Sequence, residues 1–374
     1  MNLRRRHFNA SLISGTAATI AAGAAGPAFA ARPKHNLLHG KLFTIGNAAA
    51  GNVLHVYDAD PAIAEPLTSA PTGGLGSGAG LGSQGAVTLS VDGRWLLVVN
   101  AGSHTVSCFS LTGGSPTLVS VASSGGLGPI SVSERHGLVY VVNAESSQVS
   151  GLRMDNGVLS PLAGSTQYLS SADAVGPAQV SISPDGDVLI VTEKGTNLVT
   201  HYAIDDDGRI GAPQPRPSPG QTPFGFAFDR RGRFFVSEAF GGASGASTVS
   251  SYRIDDGEPV VISAAVPNGQ GAACWAATTP DGRFVFVTNT ASGNLSRYAI
   301  APDGSLTLDA AIAGVTGAGT SPIDFDLPRH GRTLHVLAGG PTRRIHTFDV
   351  GRGGALTPVG AVVAPAGSVG LAAN

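Results

Sequence analysis

Two glutamates in equivalent sequence positions, Glu193 and Glu238, are the residues of this chain best suited to chemistry. Each ends a short apolar segment that recurs along the chain, and most other copies end in an asparagine, at Asn47, Asn100, Asn143 and Asn289. If the copies form a ring, the two carboxylates should meet at one mouth and repel each other. Such a pair could act as a general acid and base, hold a divalent cation or bind sugar hydroxyls. We therefore predict that Glu193 and Glu238 are catalytic.

The same mouth should carry the residues that bind a ligand. The set predicted to do so comprises Asn100, Asn143, Gln179, Lys194, Trp275 and Asn289. Trp275 could stack on a sugar ring, or it could plug the channel together with Phe224. For the asparagines, the alternative is that each amide hydrogen-bonds its own turn. An open polar mouth favours ligand binding, whereas a plugged mouth favours a non-catalytic scaffold.

Motifs for other reactive centres are missing from the sequence. The DDDG segment at residues 205–208 lacks the acid spacing of a calcium loop and is typical of a hairpin turn. The ten histidines show no compact zinc spacing, and no serine lies in a G-x-S-x-G elbow. Cys108 and Cys274 lie in distant repeats, so we expect two free thiols. No metal site or cofactor is assigned, and a divalent cation beside the glutamates is the one alternative.

Seven copies of one unit, a turn glycine followed by a short apolar strand and a polar end, organise the chain. They read HGKLFTIGN, DGRWLLVVN, RHGLVYVVN, DGDVLIVTE, RGRFFVSE, DGRFVFVTN and HGRTLHVLA, and their glycines are 44 to 53 residues apart. A second alternating strand follows each copy, and turns such as MDNG lead into a short fourth strand. This period is typical of propeller blades, so we predict an all-β, seven-bladed β-propeller with four-stranded antiparallel blades. An open β-solenoid or a pair of sandwiches is the alternative.

The last strand of the chain has no partner in its own repeat. An apolar strand precedes the glycine in blades two to seven, as in GPAQVSIS and SPIDFDL, but blade one lacks it. The missing copy occurs at the end of the sequence as GSVGLAAN, residues 367–374. We therefore predict that this strand inserts as the innermost strand of the blade built from residues 41–70 and closes the ring.

The recurrent PDGR-F-V-x-V-x-N units and the stretch QVSISPDGDVLIVTEKGTNLVTHY resemble the lactonase-type seven-bladed propellers. This is the family of 6-phosphogluconolactonase and the carboxymuconate-cyclising enzymes, and the YVTN-repeat propellers are similar to it. The resemblance covers essentially the whole chain after residue 30 and implies a lactone hydrolase. Two acidic positions match: Glu193 stands for an aspartate of the family's D-x-G-x-D loop, with Gly195 retained and Asn197 in place of the second aspartate, and Glu238 matches the family's glutamate.

The cationic and imidazole positions of the family differ in this chain. Where the resemblance implies histidine or arginine, the sequence has Ala178, Phe224, Gly225, Thr290, Ile323 and Asp324. A lactone hydrolase of this family would use a base together with cations that hold an anionic sugar acid. The resemblance therefore implies the fold more strongly than it implies hydrolysis by the family's residues.

The first thirty residues predict export. Arg5 and Arg6 precede Phe8, an Ala/Gly-rich run follows, and the segment ends in the sequence AFA. This is the pattern of a twin-arginine signal peptide, so we predict a signal at residues 1–30 and a single propeller domain at residues 31–374, located in the bacterial periplasm or secreted. Cleavage would change the formal net charge from −2 to −5, because three arginines and no acid are lost.

The mildly acidic mature chain limits the classes of partner. It has no basic stripe for nucleic acid and no Lys/Arg cluster that would hold it on an anionic membrane after signal cleavage. We expect a monomer whose partner is a small polar molecule or a protein.

Two connections that precede innermost strands have unusual compositions. Residues 71–83, PTGGLGSGAGLGS, offer few side chains for packing and are expected to be mobile, whereas residues 212–223, APQPRPSPGQTP, should be stiff and extended. Both could cover a ligand at the mouth, and the alternatives are a loose loop and a proline spacer.

Together these observations predict an exported propeller that binds a small polar, sugar-acid-like ligand or a protein partner at the mouth carrying Glu193 and Glu238. One alternative is a lactone hydrolase with altered catalytic residues. The other is a non-catalytic interaction scaffold that uses blade edges and outer loops.

Overall fold

The computed structural model describes residues 40–374, and the predicted signal segment at residues 1–30 lies outside this part of the chain. The described strands form seven four-stranded antiparallel sheets. Each sheet is one blade, and the predicted seven-bladed propeller is confirmed. In the described residues no helix has the length and hydropathy needed to cross a membrane.

The strands follow one another in the order predicted from the repeats. Those of blades one to four are β1 (Lys41–Ile45), β2 (Val53–Asp58), β3 (Thr68–Pro71), β4 (Val87–Leu89), β5 (Trp95–Asn100), β6 (Thr105–Ser110), β7 (Thr117–Ser123), β8 (Pro129–Arg135), β9 (Leu138–Asn143), β10 (Gln148–Asp155), β11 (Val158–Tyr168), β12 (Pro177–Ile182), β13 (Val188–Glu193), β14 (Leu198–Ala203) and β15 (Gln214–Pro217). Those of blades five to seven, with the strand that completes blade one, are β16 (Pro223–Phe228), β17 (Phe234–Glu238), β18 (Thr248–Asp255), β19 (Glu258–Pro267), β20 (Ala273–Thr278), β21 (Phe284–Asn289), β22 (Asn294–Ile300), β23 (Leu306–Val315), β24 (Ser321–Asp326), β25 (Thr333–Gly339), β26 (Arg344–Val350), β27 (Leu356–Val363) and β28 (Val369–Ala373). Two 3-10 turns, Ala101–Ser103 and Phe240–Gly242, are the helical elements of the described residues.

The innermost strands surround a central channel. They contact one another in the cyclic order β28, β4, β8, β12, β16, β20 and β24, and β24 contacts β28 again. In blades two to seven the innermost strand runs from one end of the channel to the other and then turns into the second strand of the blade, whereas the innermost strand of blade one, β28, is the last strand of the chain. We call the end where second strands finish, at residues such as Asn100 and Glu193, the ring end. The opposite end, where innermost strands turn into second strands, is the turn end.

Apolar cores lie between neighbouring blades. The second strands are apolar on both faces because a blade covers each side of them, and β9 is buried throughout its length. Leu97 and Val99 of blade two, for example, pack with Val139 and Val141 of blade three. Seven such clusters join the seven blade pairs, so burial of apolar area stabilises the ring at every interface.

The ring closes as the sequence predicts. Strand β28 pairs antiparallel with β1 in the register Leu42↔Ala373 and Phe43↔Ala372. Blade one therefore has the strand order β28-β1-β2-β3, with its innermost strand supplied by the far end of the chain. The free edge of β1 is covered in this way, which removes an unpaired strand from the ring.

Polar side chains link the innermost strands where no sheet hydrogen bonds join one blade to the next. The Ser131 hydroxyl accepts the Val180 N–H, and the Ser133 hydroxyl accepts the Ile182 N–H. Between blades four and five, the Gln179 amide donates to the Phe226 carbonyl at 3.0 Å and accepts the Phe226 N–H at 2.7 Å. These contacts satisfy backbone groups that would otherwise lie unpaired in the channel wall.

Candidate functional site

Glu193 is enclosed within its own blade. It ends β13 with no exposed surface, and its two carboxylate oxygens accept hydrogen bonds from the Ser170 N–H, the Ser170 hydroxyl, Thr196 and Thr200. The donors come from the loop after the fourth strand of blade three and from blade four itself. The carboxylate therefore ties a loop to the ends of two strands.

Glu238 has the same arrangement one blade further on. Its carboxylate accepts the Gly220 N–H at 2.9 Å, together with hydroxyls of Ser218, Thr248 and Ser250. Gly220 must be a glycine here, because a Cβ at that position would lie 2.2 Å from a Glu238 carboxylate oxygen. In the described residues no hydrogen bond joins Glu238 to Glu193. Their catalytic role stays a prediction, and both now have a structural role that catalysis would have to share.

The asparagines predicted to bind a ligand are likewise buried and occupied. The Asn100 amide donates to Ser107 at 2.7 Å and accepts from Thr72 at 2.7 Å. Asn289 donates to Ser296 at 2.8 Å, a bond between the second and third strands of its blade. Asn143 donates to the Ser124 carbonyl, while its Oδ1 atom is buried without a hydrogen-bond partner among the described residues. Asn100 and Asn289 thus bond the third strand of their own blades, and Asn100 and Asn143 bond residues that follow the last strand of the preceding blade. Ligand binding by these asparagines stays a prediction.

The ring end of the channel is plugged. Trp275 is 4% exposed and Phe224 9% exposed, and their ring centroids lie 5.0 Å apart. The Trp275 indole N–H donates to the Ser83 carbonyl at 3.0 Å, which fixes the ring against the loop that precedes blade two. The Lys194 ammonium lies over the Phe224 ring, with Nζ 4.6 Å from the ring centroid. Burial lowers the pKa of Lys194 to about 8. Two of the predicted ligand-binding residues, Trp275 and Lys194, therefore meet in the plug.

The glycine-rich loop at residues 71–83 forms part of this closure and differs from the mobile loop that its composition predicts. The Asn47 side chain donates to the Ala79 carbonyl and accepts the Ser77 N–H. Backbone bonds from Gly76 and Gly78 return to the same turn of blade one. The glycines let the loop lie directly on backbone, since a Cβ at Gly76 would meet the Asn47 carbonyl carbon at 2.1 Å. The proline-rich segment is extended as predicted, with residues 214–217 forming β15.

The turn end of the channel is open and holds a cavity of about 540 Å³. This volume lies within the range of about 300–1,000 Å³ that small-molecule sites occupy. Gln84, Gln179 and the last residues of the innermost strands line the cavity, together with the turn of blade two and the turn of blade seven at residues 328–330. The ring end, where the ligand mouth was predicted, is plugged. The accessible cavity lies at the opposite end of the channel, the turn end.

Asp324, on the innermost strand of blade seven, is the most unusual group in the cavity wall. It is 2% exposed, one carboxyl oxygen accepts the Phe325 N–H at 2.8 Å, and the other has no hydrogen-bond partner among the described residues. Burial raises the pKa of Asp324 well above its ordinary value, and the nearby Asp326 carboxyl raises it further. Burial therefore favours the protonated form of the Asp324 carboxyl over its ionised form.

Asp326 lies two residues further along β24, on the same side of the strand, with its Cα roughly 7 Å from that of Asp324. It is partly exposed and accepts the Ala373 N–H at 2.7 Å and the Leu327 N–H at 2.8 Å. Burial raises the pKa of Asp326 to about 6, while these N–H groups and the Arg329 guanidinium oppose the rise. The ionised form of Asp326 can act as a base at neutral pH, beside an Asp324 carboxyl whose protonated form is favoured by burial.

The rim of the cavity carries an arginine and a histidine. Arg329 and His330, both exposed, occupy the turn that follows β24, and both line the cavity. Among the described residues no carboxylate forms an ion pair with Arg329. The cavity thus combines Asp324 and Asp326 in its wall with one cation, Arg329, and one further carboxylate, Asp92, near its opening. No group of three or more His, Cys, Asp or Glu residues within 40–374 is placed to hold a metal ion.

The sequence analysis included Asp324 only as a departure from the family pattern and did not select Asp326. The signal was present in the segment SPIDFDL, which places two acids at alternate positions of a strand that must be buried between blades. Burying a charged carboxylate is costly, so two acids in a buried strand indicate either hydrogen-bond partners or a function. Gln179 does line the cavity, although its amide is occupied by Phe226.

A family model described as Lactonase, 7-bladed beta-propeller, matches residues 83–239 and 235–368 of the chain. The chain belongs to this lactonase family. Among curated relatives, 6-phosphogluconolactonases from Enterobacter sp. (strain 638) and Cronobacter sakazakii are 30% and 29% identical over 197 and 187 residues. These matches cover 51% and 49% of this chain, and the chain spans about half the length of the curated relatives it matches, 53% and 52%.

Solved structures show the same fold. The periplasmic gluconolactonase of Pseudomonas aeruginosa aligns with a TM-score of 0.68 at 21% identity, over 88% of this lactonase-family chain and 98% of its own. At this level of identity the comparison shows a shared fold. The family model and the solved structure therefore agree on the fold, and neither identifies the residues that would react.

Proposed function

We propose that this protein opens the ring of a small polar lactone within the cavity at the turn end of the channel. The observation that carries the proposal is the Asp324–Asp326 pair in the wall of a ligand-sized cavity. Asp324 is buried with one unpartnered carboxyl oxygen, and Asp326 accepts two backbone N–H groups beside it. Membership of the lactonase family supports an intramolecular ester as the substrate class.

The chemistry needs a base and a donor. Asp326 would take a proton from a water molecule as its oxygen attacks the lactone carbonyl, and the Asp324 hydroxyl would donate a hydrogen bond to the carbonyl oxygen as negative charge develops there. The bond between the carbonyl carbon and the ring oxygen then breaks, and the proton held by Asp326 passes to the leaving alkoxide. Water and lactone give a hydroxy acid, and both aspartates return to their starting states.

Arg329 at the rim of the cavity would hold polar groups of the ligand. Arg329 has no ion-pair partner in residues 40–374 and lies within reach of a carboxylate or hydroxyl that projects from the cavity. The product is an acid, so the same cation would attract it at the channel opening.

Export is part of the proposal. The similar fold of a periplasmic gluconolactonase and the Arg5-Arg6 leader both support action outside the cytoplasm, in the periplasm or the medium.

The test is a pH-stat assay of glucono-δ-lactone opening, corrected for the spontaneous rate, on the purified chain without residues 1–30. Asp326→Asn should lower turnover ~10²-fold or more, because a general base acts in the transition state. Asp185→Asn is the matched control, since Asp185 lies in a turn at the same end of blade four but does not line the cavity. Equal turnover in the parent and Asp326→Asn would overturn the proposal.

A non-catalytic scaffold is the second candidate, and the plugged ring end favours it, since Trp275 and Phe224 close the mouth that was predicted to bind ligand. This candidate predicts a folded protein with no lactone turnover and no saturable binding of the hydroxy acid by calorimetry.

A further inference from the structure

A second cavity lies at the turn end, between blades six and seven. It has a volume of about 250 Å³, and three arginines line it, Arg283, Arg332 and Arg352. They come from three separate segments: the turn before β21, the turn before β25 and the turn after β26. We call this cavity the blade 6–7 groove. It is distinct from the channel cavity, although His330 lines both.

The positive charges of the groove are only partly compensated. Asp281, its one carboxylate, accepts bonds from Arg283 Nε at 2.9 Å and from the Thr279 hydroxyl at 2.6 Å. Among the described residues, neither Arg332 nor Arg352 has an ion-pair partner. Like charges that converge without counter-charges repel one another, and a bound anion would relieve that repulsion.

Neighbouring contacts hold the groove in place. The Arg283 guanidinium lies 5.3 Å from the Phe284 ring centroid and donates a hydrogen bond to the Arg352 carbonyl. That bond ties the outer turn of blade seven to blade six. Arg297 lies 5.2 Å from the same ring centroid and pairs with Asp309. Stacking and a backbone contact between blades therefore fix the Arg283 side chain, while Arg332 and Arg352 are exposed.

His330 adds a neutral donor. Its Nδ1 atom accepts the Arg332 N–H at 3.1 Å, so the proton of the neutral ring is on Nε2. Burial lowers the pKa of His330, and the Arg332 guanidinium lowers it further. An anion in the groove would act in the opposite direction.

We propose that the blade 6–7 groove is a binding site for a small oxyanion, with inorganic phosphate as its probe, held by Arg332, Arg352 and the His330 ring. Guanidinium groups match the geometry of such anions through paired N–H donors. This site does not depend on lactone hydrolysis in the channel.

The experiment is a calorimetric titration with inorganic phosphate at constant ionic strength. Saturable binding is expected, and Arg332→Gln and Arg352→Gln should each weaken it by about tenfold or more, the loss expected for a charge-assisted hydrogen bond. Asp281→Asn should tighten binding, because it removes the competing carboxylate. Arg344→Gln is the matched control, an exposed arginine at the other end of blade seven, and should bind like the parent.

A second readout places the anion. The His330 ring, followed by NMR, should show a higher pKa when phosphate is bound, and the rise should disappear in Arg352→Gln. Absence of saturable phosphate binding would overturn the proposal. So would equal weakening by Arg344→Gln, or binding that leaves the His330 pKa unchanged.

Discussion

Gln84 of blade two and Ala276 of blade six exchange two hydrogen bonds across the channel. The Gln84 amide donates to the Ala276 carbonyl at 2.8 Å and accepts the Ala276 N–H at 3.0 Å. These blades are not neighbours in the ring, so the side chain has to span the channel. Gln84 also lines the channel cavity, and it therefore separates the plugged ring end from the open turn end.

Gly225 makes room for this crossing, and its substitution tests the plug. A Cβ at residue 225 would lie 2.1 Å from the Gln84 side-chain oxygen and 2.7 Å from the Cys274 carbonyl. We expect Gly225→Ala to lower the free energy of unfolding by about 1–3 kcal/mol, as overpacking of a tight core does. Gly80→Ala is the control, since a Cβ there meets nothing within 4 Å. Equal urea midpoints for the two variants would contradict the packed plug.

The two buried glutamates should prove structural in a stability measurement. In Glu238→Gln, an amide NH₂ replaces an oxygen that accepts hydrogen bonds, and donors such as the Gly220 N–H cannot reverse their role. We expect a loss of about 1–3 kcal/mol for Glu238→Gln and a similar loss for Glu193→Gln. Exposed Glu145→Gln is the control and should melt like the parent. Parent-like melting of both buried variants would instead return the glutamates to a purely functional role.

The repeat pattern predicts the blades, their order and the closing strand, because strand periodicity and turn glycines are local properties of the sequence. The pattern also predicts that Asn100, Asn143 and Asn289 end the second strands of their blades, as they do in the structure. The residues that occupy the channel could not be predicted in this way. Whether Trp275 stacks on a ligand or on Phe224 depends on the loop that ends at Ser83, a segment 192 residues away in sequence.

The candidate site lies at the turn end and not at the predicted ring end for a similar reason. Glu193 is attractive in sequence because it breaks the asparagine pattern, yet its carboxylate is enclosed by Thr196 in the turn that follows it and by Ser170, which lies 23 residues earlier in the sequence. Asp326 lies in a strand with two alternate acids, but its surroundings depend on a long-range contact, because it accepts the Ala373 N–H of β28, the last strand of the chain. Long-range contacts of this kind determine which carboxyl groups face solvent, a cavity or a set of donors.

The raised pKa of Asp324 predicts a pH-dependent stability difference. A carboxyl whose pKa is higher in the folded than in the unfolded state stabilises the fold below the unfolded pKa, and this contribution is lost as pH rises through the folded value. Asp324→Asn cannot ionise and retains an acceptor for the Phe325 N–H. We therefore expect the variant to gain stability over the parent as pH increases from 4 to 8.

The measurement has to be a difference between parent and variant. His335 is buried with its pKa lowered to about 4, so it titrates in the same interval with the opposite sign. Urea unfolding of both proteins at matched pH values cancels this contribution. A difference that stays constant, or that shrinks with rising pH, would show that Asp324 is ionised in the folded protein.

The two thiols should be free and unreactive in the folded protein. Both cysteines are buried and unpaired, as predicted, and burial raises the pKa of Cys108 to about 12 and that of Cys274 to about 11. Because the thiolate is the reactive form, a disulfide reagent at pH 8 should label neither residue until denaturant is added. Two thiols should then titrate without reductant, and rapid labelling of the native protein would show that one of the blade interfaces opens.

The pH dependence of lactone opening brings the two channel aspartates into one measurement. Ionised Asp326 is the proposed base, so kcat/KM should rise as pH increases through about 6. Protonated Asp324 is the proposed donor, so activity should fall again as pH rises through the raised pKa of Asp324, which gives a bell-shaped profile. Asp324→Asn keeps an N–H donor that does not ionise, and it should remove the falling limb while retaining measurable turnover.

Asp324→Leu, which keeps the size but offers no donor, should lower kcat with little change in KM, because the donor acts on charge that develops in the transition state. A profile in which Asp324→Asn leaves both limbs in place would assign the acid to another group, and one in which Asp326→Asn retains the rising limb would exclude Asp326 as the base.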